Sequence, residues 1–170
     1  MKSISHTKTF EMAVPVAELF PLFSPEGEKH WVPGWDYDNV MGTTELCEDY
    51  VFVTKSHHHR MTEAIWLTKK YHPQAGLVEF YKIEPGEKIG VVTVQCKERG
   101  AEKTSVEVTY KYMALAASGE RFVAEFTAAA YAEFIGEWQT LLEDYFASPA
   151  DRQRLCGQKS DTDPESEQIS

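Results

Sequence analysis

The hydrophobic period of this sequence changes once, near Gly119, and that change limits the folds open to the chain. Before it, short segments rich in Val, Ile, Thr, Tyr and Phe alternate with turn residues, which is typical of antiparallel strands joined by hairpins. After it, one segment to about Phe146 carries apolar residues at helical spacing. A sheet with one apolar face followed by an amphipathic helix predicts an α+β domain in which the helix covers the sheet.

The strand segments are separated by turn signals such as Pro85-Gly86 and Arg99-Gly100. A first strand is predicted at His6–Val14, where apolar residues alternate with polar ones. The remaining predicted strands are Asn39–Leu46, Asp49–Ser56, Thr62–Tyr71, Gly76–Glu84, Ile89–Glu98 and Thr104–Ala114. The sequence therefore predicts an antiparallel sheet of about seven strands, curved around the helix.

Two short helices are predicted directly after the first strand. Pro15 suits the first turn of a helix over Val16–Phe23. Ser24 followed by Pro25 is a second helix start, because a capping hydroxyl precedes a proline at the first helical position. This second helix must be brief, since Pro33 and Gly34 follow closely.

The segment Gly119–Phe146 predicts one long amphipathic helix. At about 100° per residue its apolar residues fall on one broad face. That face has small residues in its first half and large ones in its second: Val123, Thr127 and Ala130, with Phe126 at the flank, then Phe134, Trp138, Leu141 and Tyr145. We expect a cavity beneath the first half and solid packing beneath the second. The alternative is that sheet side chains fill the gap.

A family resemblance rests on two stretches. The first runs Leu19-Phe20-Pro21-Leu22-Phe23-Ser24-Pro25-Glu26-Gly27-Glu28 and continues at Trp31-Val32-Pro33-Gly34-Trp35, and the second is Val106–Leu115 leading into Gly119. The chain up to about Phe146 resembles the START-like helix-grip superfamily, in its polyketide cyclase/dehydrase and lipid-transport branch. The resemblance implies a cavity between sheet and long helix that takes hydrophobic small molecules. It implies no numbered catalytic residue.

Candidate cavity residues come from the turn, the strands and the long helix. Trp31 and Trp35 flank the Pro-Gly turn, where two indoles either form the lip of a pocket or cap the core. Tyr110 and Tyr112 share the expected inner face of the last strand and either orient a ligand carbonyl or simply pack. Tyr81 also reaches inward unless the Val78–Phe80 face of its strand does so instead. The candidate cavity residues from the long helix are Val123, Phe126, Thr127 and Ala130.

The run His57-His58-His59-Arg60 is the one pattern that suggests a metal. His57 and His59 share a face if the run is a strand, but a catalytic zinc usually needs a third protein ligand, and none is fixed by the sequence. We predict a loop and no metal.

Cys47, Cys96 and Cys156 form no C-x-x-C pair and are expected to be reduced thiols. Nucleotide-binding loops and a nucleophile elbow are absent from the sequence, and no cofactor is predicted.

The net charge and the hydropathy of the sequence argue against several classes of protein. There are 17 Lys and Arg against 27 Asp and Glu, a net charge of −10, which disfavours binding to nucleic acid or to an anionic membrane. No apolar run is long enough to span a bilayer, and the start of the chain lacks a signal peptide's apolar core. We expect a cytoplasmic domain over residues 1–149, monomeric or homodimeric, and an acidic polar tail over residues 150–170 that cannot bury enough apolar surface to fold.

Three functions remain open. The first is binding or carriage of a hydrophobic or amphipathic small molecule between the sheet and the helix. The second is a cyclase, dehydratase or isomerase acting on a polyketide-like or aromatic substrate in the same cavity, which needs a titratable group there at a shifted pKa. The third is a co-chaperone-like interaction domain, which needs a large exposed apolar patch.

Overall fold

A computed structural model of the chain describes residues 2–55 and 63–148. In these ranges there are six strands: β1 Ser3–Met12, β2 Val51–Lys55, β3 Glu63–His72, β4 Leu77–Glu84, β5 Lys88–Glu98 and β6 Thr104–Ala114. They form one antiparallel sheet in the order β1-β6-β5-β4-β3-β2. The α+β class and the antiparallel sheet predicted from the sequence are confirmed.

The last strand, β6, lies between β1 and β5 and is antiparallel to both. Its residue Tyr110 lies opposite His6 on β1 and Val92 on β5. Side chains alternate across a strand, so Tyr110 and Tyr112 share the buried face while Glu107 points away from it. This confirms the predicted inner face of β6.

The two short helices after β1 are present. Helix α1, Val16–Leu19, continues as a 3₁₀ turn over Phe20–Phe23, and helix α2 is Pro25–Glu28. The Ser24 hydroxyl accepts a hydrogen bond of 2.9 Å from the backbone N–H of Gly27, as expected of a cap. Gly27 packs so closely on the 3₁₀ turn that a Cβ there would collide with the Pro21 carbonyl oxygen.

The C-terminal helical segment is two helices rather than one, which corrects the prediction. Helix α3 is Ala117–Glu125 and helix α4 is Ala128–Ala147. Between them Thr127 is extended, and its hydroxyl accepts a hydrogen bond of 3.1 Å from the backbone N–H of Ala130, so it caps α4. The edge strand β1 holds this break, because His6 donates to the Phe126 carbonyl at 2.7 Å.

The break rotates the buried face of α4 relative to a continuous helix. The fully buried residues on α4 are Tyr131, Ile135 and Leu142, each one position from the predicted set. The Tyr131 hydroxyl donates to the carbonyl oxygen of Val108 and fixes the helix on β6. Trp138, predicted to be buried, is half-buried and packs on the sheet through the ring of Tyr110.

The predicted strand Asn39–Leu46 is wrong, so the sheet has six strands in the described ranges instead of about seven. The segment before β2 pairs with it only at one bridge, Asp38 to Val53. It then turns at Gly42, whose φ of 72° is in the left-handed region and whose N–H donates to Asn39 Oδ1 at 3.1 Å. A side-chain-stabilised turn therefore replaces the ladder.

Two predictions concern residues outside the described ranges. They are the loop at His57–His59 and the tail over residues 150–170, with the domain boundary placed at residue 149.

Candidate functional site

A small cavity lies at the centre of the sheet's covered face, between the sheet, α2 and α4. Its volume is about 20 Å³, which is room for about one water molecule. It is lined by side chains from all three layers: Phe23, Pro25, Glu28, Trp35, Phe52, Trp66, Phe80, Val92, Val94, Tyr110 and Trp138. We call this space the inner cavity. Its walls are almost entirely aromatic and aliphatic.

Among the described residues of that lining, Glu28 is the one acidic or basic side chain, and helix α2 places it there. Ser24 and Pro25 start α2, and Gly27 allows the helix to pack against the 3₁₀ turn before it. Glu28, at the end of this single helical turn, then lines the cavity while part of the residue stays exposed. Within the described ranges, its carboxyl group has no hydrogen-bond or ion-pair partner.

Burial shifts the protonation of both polar groups in the inner cavity. Glu28 keeps some exposed surface as a residue, but its carboxyl is surrounded by the cavity walls, and this burial raises the pKa of the carboxyl to about 8. Burial also raises the pKa of the Tyr110 phenol well above its usual value, and the neighbouring Tyr112 and Glu28 charges add to the effect. At pH 7 both groups are therefore protonated hydrogen-bond donors.

A larger open groove runs outside the inner cavity, between α4 and the turn after α2. Its volume is about 930 Å³. The groove is lined by Val32, Pro33, Glu133, Phe134, Gly136, Glu137, Trp138, Thr140 and Leu141. We call it the outer groove. Trp138 lines both spaces, so its indole is the wall between them.

A second opening, of about 410 Å³, lies where the β4–β5 hairpin meets the break between α3 and α4. We call it the side cleft. It is lined by Lys82, Glu84, Glu87, Lys88, Tyr112, Phe122, Phe126 and Phe134. Its aromatic wall is tightly connected: the ring of Tyr112 meets Phe122 at 4.9 Å and Phe126 at 5.1 Å between centroids. Phe134 lines both the side cleft and the outer groove.

The side cleft contains a buried charge cluster. Lys88 Nζ lies 3.0 Å from Glu84 Oε2 and 2.8 Å from Glu87 Oε1, and it sits 4.2 Å from the centroid of the Phe122 ring. Lys82 Nζ is 3.9 Å from the same Glu84 oxygen, and burial lowers the pKa of this amine. The cluster therefore places paired ammonium and carboxylate groups beside the aromatic wall of the cleft.

Four of the predicted site residues border these spaces. Trp35 and Tyr110 line the inner cavity, while Tyr112 and Phe126 line the side cleft. Trp31 is buried and donates from its indole nitrogen to the Leu22 carbonyl at 2.8 Å, so it caps the core beside the cavity. Trp35 is held in the same way, by a hydrogen bond of 2.8 Å to the Pro25 carbonyl.

The other four predicted residues lie elsewhere. Tyr81 is on the outer face of β4, beside Lys69, because Val78 and Phe80 take the inner face. Val123 is buried in the core on α3 but lines none of the three spaces described above. Thr127 and Ala130 are exposed, since the cap at Thr127 turns the start of α4 away from the sheet.

The residues that sequence reasoning missed are mainly charged ones. Glu28, Lys82, Glu84 and Lys88 all face inward, although charged residues are rarely buried. For the strand residues Lys82 and Glu84 a signal exists, because they continue the alternation of Val78 and Phe80. For Glu28 the local sequence contains none.

Within the described ranges, the structure supports neither a metal cluster nor reactivity of the buried thiol. No group of three His, Cys, Asp or Glu side chains there is placed to hold a metal ion. Cys96 is buried, and burial raises the pKa of its thiol to about 12, which leaves it unreactive at neutral pH. No helix in the described part of the chain is both long and apolar enough to cross a membrane.

Solved structures of similar architecture decide the fold. The major latex-like protein of Panax ginseng matches with a TM-score of 0.65 at 16% identity, over 84% of this chain and 97% of that one. Norcoclaurine synthase from Thalictrum flavum matches with a TM-score of 0.61 at 12% identity, over 84% and 88%. This is the START-like helix-grip fold. The predicted resemblance is confirmed at that level.

The helix-grip fold is shared by proteins of different activities. An aromatase/cyclase from a Streptomyces species matches with a TM-score of 0.55 at 13% identity, over 86% of this chain and 88% of that one. No family model matches the sequence, and no curated protein matches it. At such identities the likeness establishes the helix-grip fold alone, so function has to be argued from the site.

Proposed function

We propose that this protein binds or carries a hydrophobic or amphipathic small molecule between its sheet and α4. The observation that carries the proposal is the placement of Phe134 and Trp138. Together they line all three spaces, so one ligand can lie along the outer groove and reach either the side cleft or the inner cavity. The volumes of the outer groove and the side cleft fall in the usual range for small-molecule sites.

Exposure of Phe134 supports the same proposal. Its side chain is 37% exposed although it stands among aromatic residues, with ring contacts to Tyr110 and Trp138. An exposed aromatic residue that lines two adjoining concave spaces is a natural contact for an apolar ligand. A ligand covering it would gain about 25 cal/mol for each Å² of apolar surface removed from water.

The test uses N-phenylnaphthylamine, a dye that fluoresces in apolar surroundings. The protein is expected to bind it saturably, and Phe134→Ala to weaken binding roughly five- to tenfold through lost apolar contact. Ile65→Ala is the matched control, because Ile65 is 38% exposed but lies on the outer face of β3. Dye binding that is absent, or equally affected by both variants, would contradict the proposal.

A second candidate function is proton-transfer catalysis of the cyclase, dehydratase or isomerase type. It is favoured by one observation: Glu28 is a titratable group in the inner cavity whose pKa of about 8 makes it a proton donor at pH 7. Glu28→Gln would then abolish turnover of an aromatic or polyketide-like substrate while leaving dye binding unchanged.

No observation on the described residues favours a co-chaperone-like role. Cytoplasmic location and a monomeric or dimeric state stay predictions.

A further inference from the structure

The ionisable side chains that line the inner cavity and the outer groove are acidic rather than basic. The outer groove carries Glu133 and Glu137 beside its apolar floor, and the inner cavity carries Glu28. Among the described residues that line these two spaces there is no Lys, Arg or His. The side cleft differs, because there two lysines balance two glutamates. The two adjoining spaces therefore favour a positively charged guest.

Among the described residues, Glu28 has none of the partners that two nearby glutamates have. On the same helical turn, Glu26 accepts a hydrogen bond of 2.6 Å from the Tyr37 hydroxyl and pairs with Lys29 at 3.2 Å. On β4, Glu84 lies 3.0 Å from the Lys88 ammonium. A buried carboxyl group without a partner is costly, and a ligand that supplies the missing donor recovers that cost.

The walls around Glu28 also suit a cation. Three indoles line the inner cavity, at Trp35, Trp66 and Trp138, together with the rings of Phe52, Phe80 and Tyr110. Aromatic faces attract ammonium groups, and tryptophan does so most strongly. A carboxyl group at the centre of such rings combines charge pairing with cation–π attraction at one point. The net charge of −10 would also attract a cation towards the protein.

We propose that the inner cavity is the head-group site for an organic cation, namely a small molecule with an apolar or aromatic body and a protonated amine. The body lies in the outer groove, and the amine passes Trp138 to meet Glu28. Because the inner cavity has room for about one water molecule, the Trp138 side chain must move to admit the amine. This inference rests on the proposed function, since it names the ligand class of the same site.

Binding of an ammonium group at Glu28 should change the number of protons that the protein holds. Glu28 is protonated at pH 7 in the free protein and becomes a carboxylate when it pairs with the ammonium, so close to one proton is released to solvent. Among the described residues, the titratable groups around it are Tyr110 across the cavity, Glu26, Lys29 and His30 beside it on the chain, and Lys82 behind the Trp66 ring. Tyr110 keeps its proton because its pKa is raised.

The experiment compares three probes of similar shape by isothermal titration calorimetry: naphthylmethylamine, which is a cation at pH 7, naphthylmethanol, which is neutral, and naphthoate, which is an anion. We expect the amine to bind at least tenfold more tightly than the alcohol, and naphthoate to bind most weakly. Glu28→Gln should remove the tenfold preference for the amine over the alcohol. Glu107→Gln, which makes the same substitution on the outer face of β6, should leave this preference unchanged.

A second measurement needs no variant and covers the case in which Glu28→Gln does not fold. Titrating the unmodified protein with the amine at pH 7, in two buffers of different ionisation enthalpy, should reveal release of close to one proton.

Equal binding of amine and alcohol, or amine binding without proton release, would overturn the inference and leave the proposed function standing. Failure of all three probes while N-phenylnaphthylamine still binds would do the same. Failure of the dye as well would remove the proposed function.

Discussion

The rings of Tyr110 on β6 and Trp138 on α4 meet edge to face, with centroids 6.1 Å apart and planes at 75°. Tyr110 comes from the predicted inner face of the sheet, and Trp138 reaches it although it is only half-buried. The contact joins the two layers of the fold at the edge of the inner cavity. Its other consequence is that the indole of Trp138 closes that cavity against the outer groove.

The first prediction concerns a variant that lacks the Trp138 indole. Trp138→Ala should merge the inner cavity with the outer groove and increase the fluorescence of bound N-phenylnaphthylamine. The indole also packs on Phe23 and Trp31, so the free energy of unfolding should fall by about 2–4 kcal/mol, less than for a fully buried tryptophan. Dye titration and urea denaturation measure the two effects.

Leu142→Ala is the control for that variant. Leu142 is fully buried on α4 but lines none of the three spaces, so its loss should destabilise by about 2–5 kcal/mol without raising dye fluorescence. If both variants change dye binding alike, Trp138 is an ordinary core residue and not a partition.

The second prediction concerns the pH dependence of stability. The pKa of Glu28 is raised from 4.5 to about 8 by burial, so between these values the folded protein holds a proton that the unfolded chain loses. The stabilising effect of that proton is complete below pH 4.5 and is lost as the pH rises through 8. Glu28→Gln removes this loss and should be more stable than the natural protein at pH 9, by on the order of 2–4 kcal/mol.

Glu26→Gln provides a control of opposite sign. The hydrogen bond from Tyr37 lowers the pKa of Glu26, so its contribution is present above pH 4.5 and is lost as the pH falls through the lowered value. This variant should therefore be less stable than the natural protein at pH 7, with the difference vanishing in acid. Urea denaturation at pH 5, 7 and 9 tests both; a Glu28→Gln curve parallel to that of the natural protein would mean that Glu28 is not buried as described.

Much of the fold could be read from the sequence, because side-chain periods of two and of about 3.6 residues report directly on burial. The face of β6 followed from strict alternation along Val106, Val108 and Tyr110. The face of β4 did not, because apolar residues stand on both sides of it, with Tyr81 and Ile83 on one and Val78 and Phe80 on the other. Packing of the whole sheet decides between such faces.

The two larger errors arise from interactions that no local pattern contains. Thr127 is followed by three alanines, which are strong helix formers, yet the helix breaks there because β1 holds the Phe126 carbonyl and the Thr127 hydroxyl caps α4. Glu28 lies in the same acidic turn as Glu26, and nothing local separates the two. Only the packing of α2 against the sheet makes one a paired surface acid and the other an isolated buried one.

The third prediction follows from the break at Thr127. Ala130 lies on the exposed side of α4, so Ala130→Trp should change the melting temperature by no more than a degree or two, in line with about 0.5 kcal/mol for an exposed site. Dye binding should stay the same. Ile135→Trp, at a fully buried position further along α4, should lower stability by at least about 1–3 kcal/mol through overpacking. A large loss of stability in Ala130→Trp would mean that the start of α4 faces the sheet after all.

The fourth prediction tests the charge cluster of the side cleft. Glu84→Gln should destabilise the protein by about 3 kcal/mol, because it leaves the buried Lys88 ammonium without its 3.0 Å partner. Glu87→Gln removes the other partner, at 2.8 Å, but the Glu87 side chain is more exposed and the loss should be below about 1 kcal/mol. Urea denaturation of the two variants gives the comparison.

The double replacement of Glu84 and Lys88 by Met distinguishes the effect of ion pairing on stability from the effect of burying side chains of this size. Replacing a buried ion pair by apolar side chains of similar size is often neutral, so this protein should recover most of the stability that Glu84→Gln loses. Its side cleft would then keep Lys82 and Glu87 but lose the other two charged side chains, and N-phenylnaphthylamine should bind at least as well as before. If Glu84→Gln proved no worse than Glu87→Gln, the cluster would be solvated, and Lys82 and Lys88 would be surface charges at the edge of the cleft.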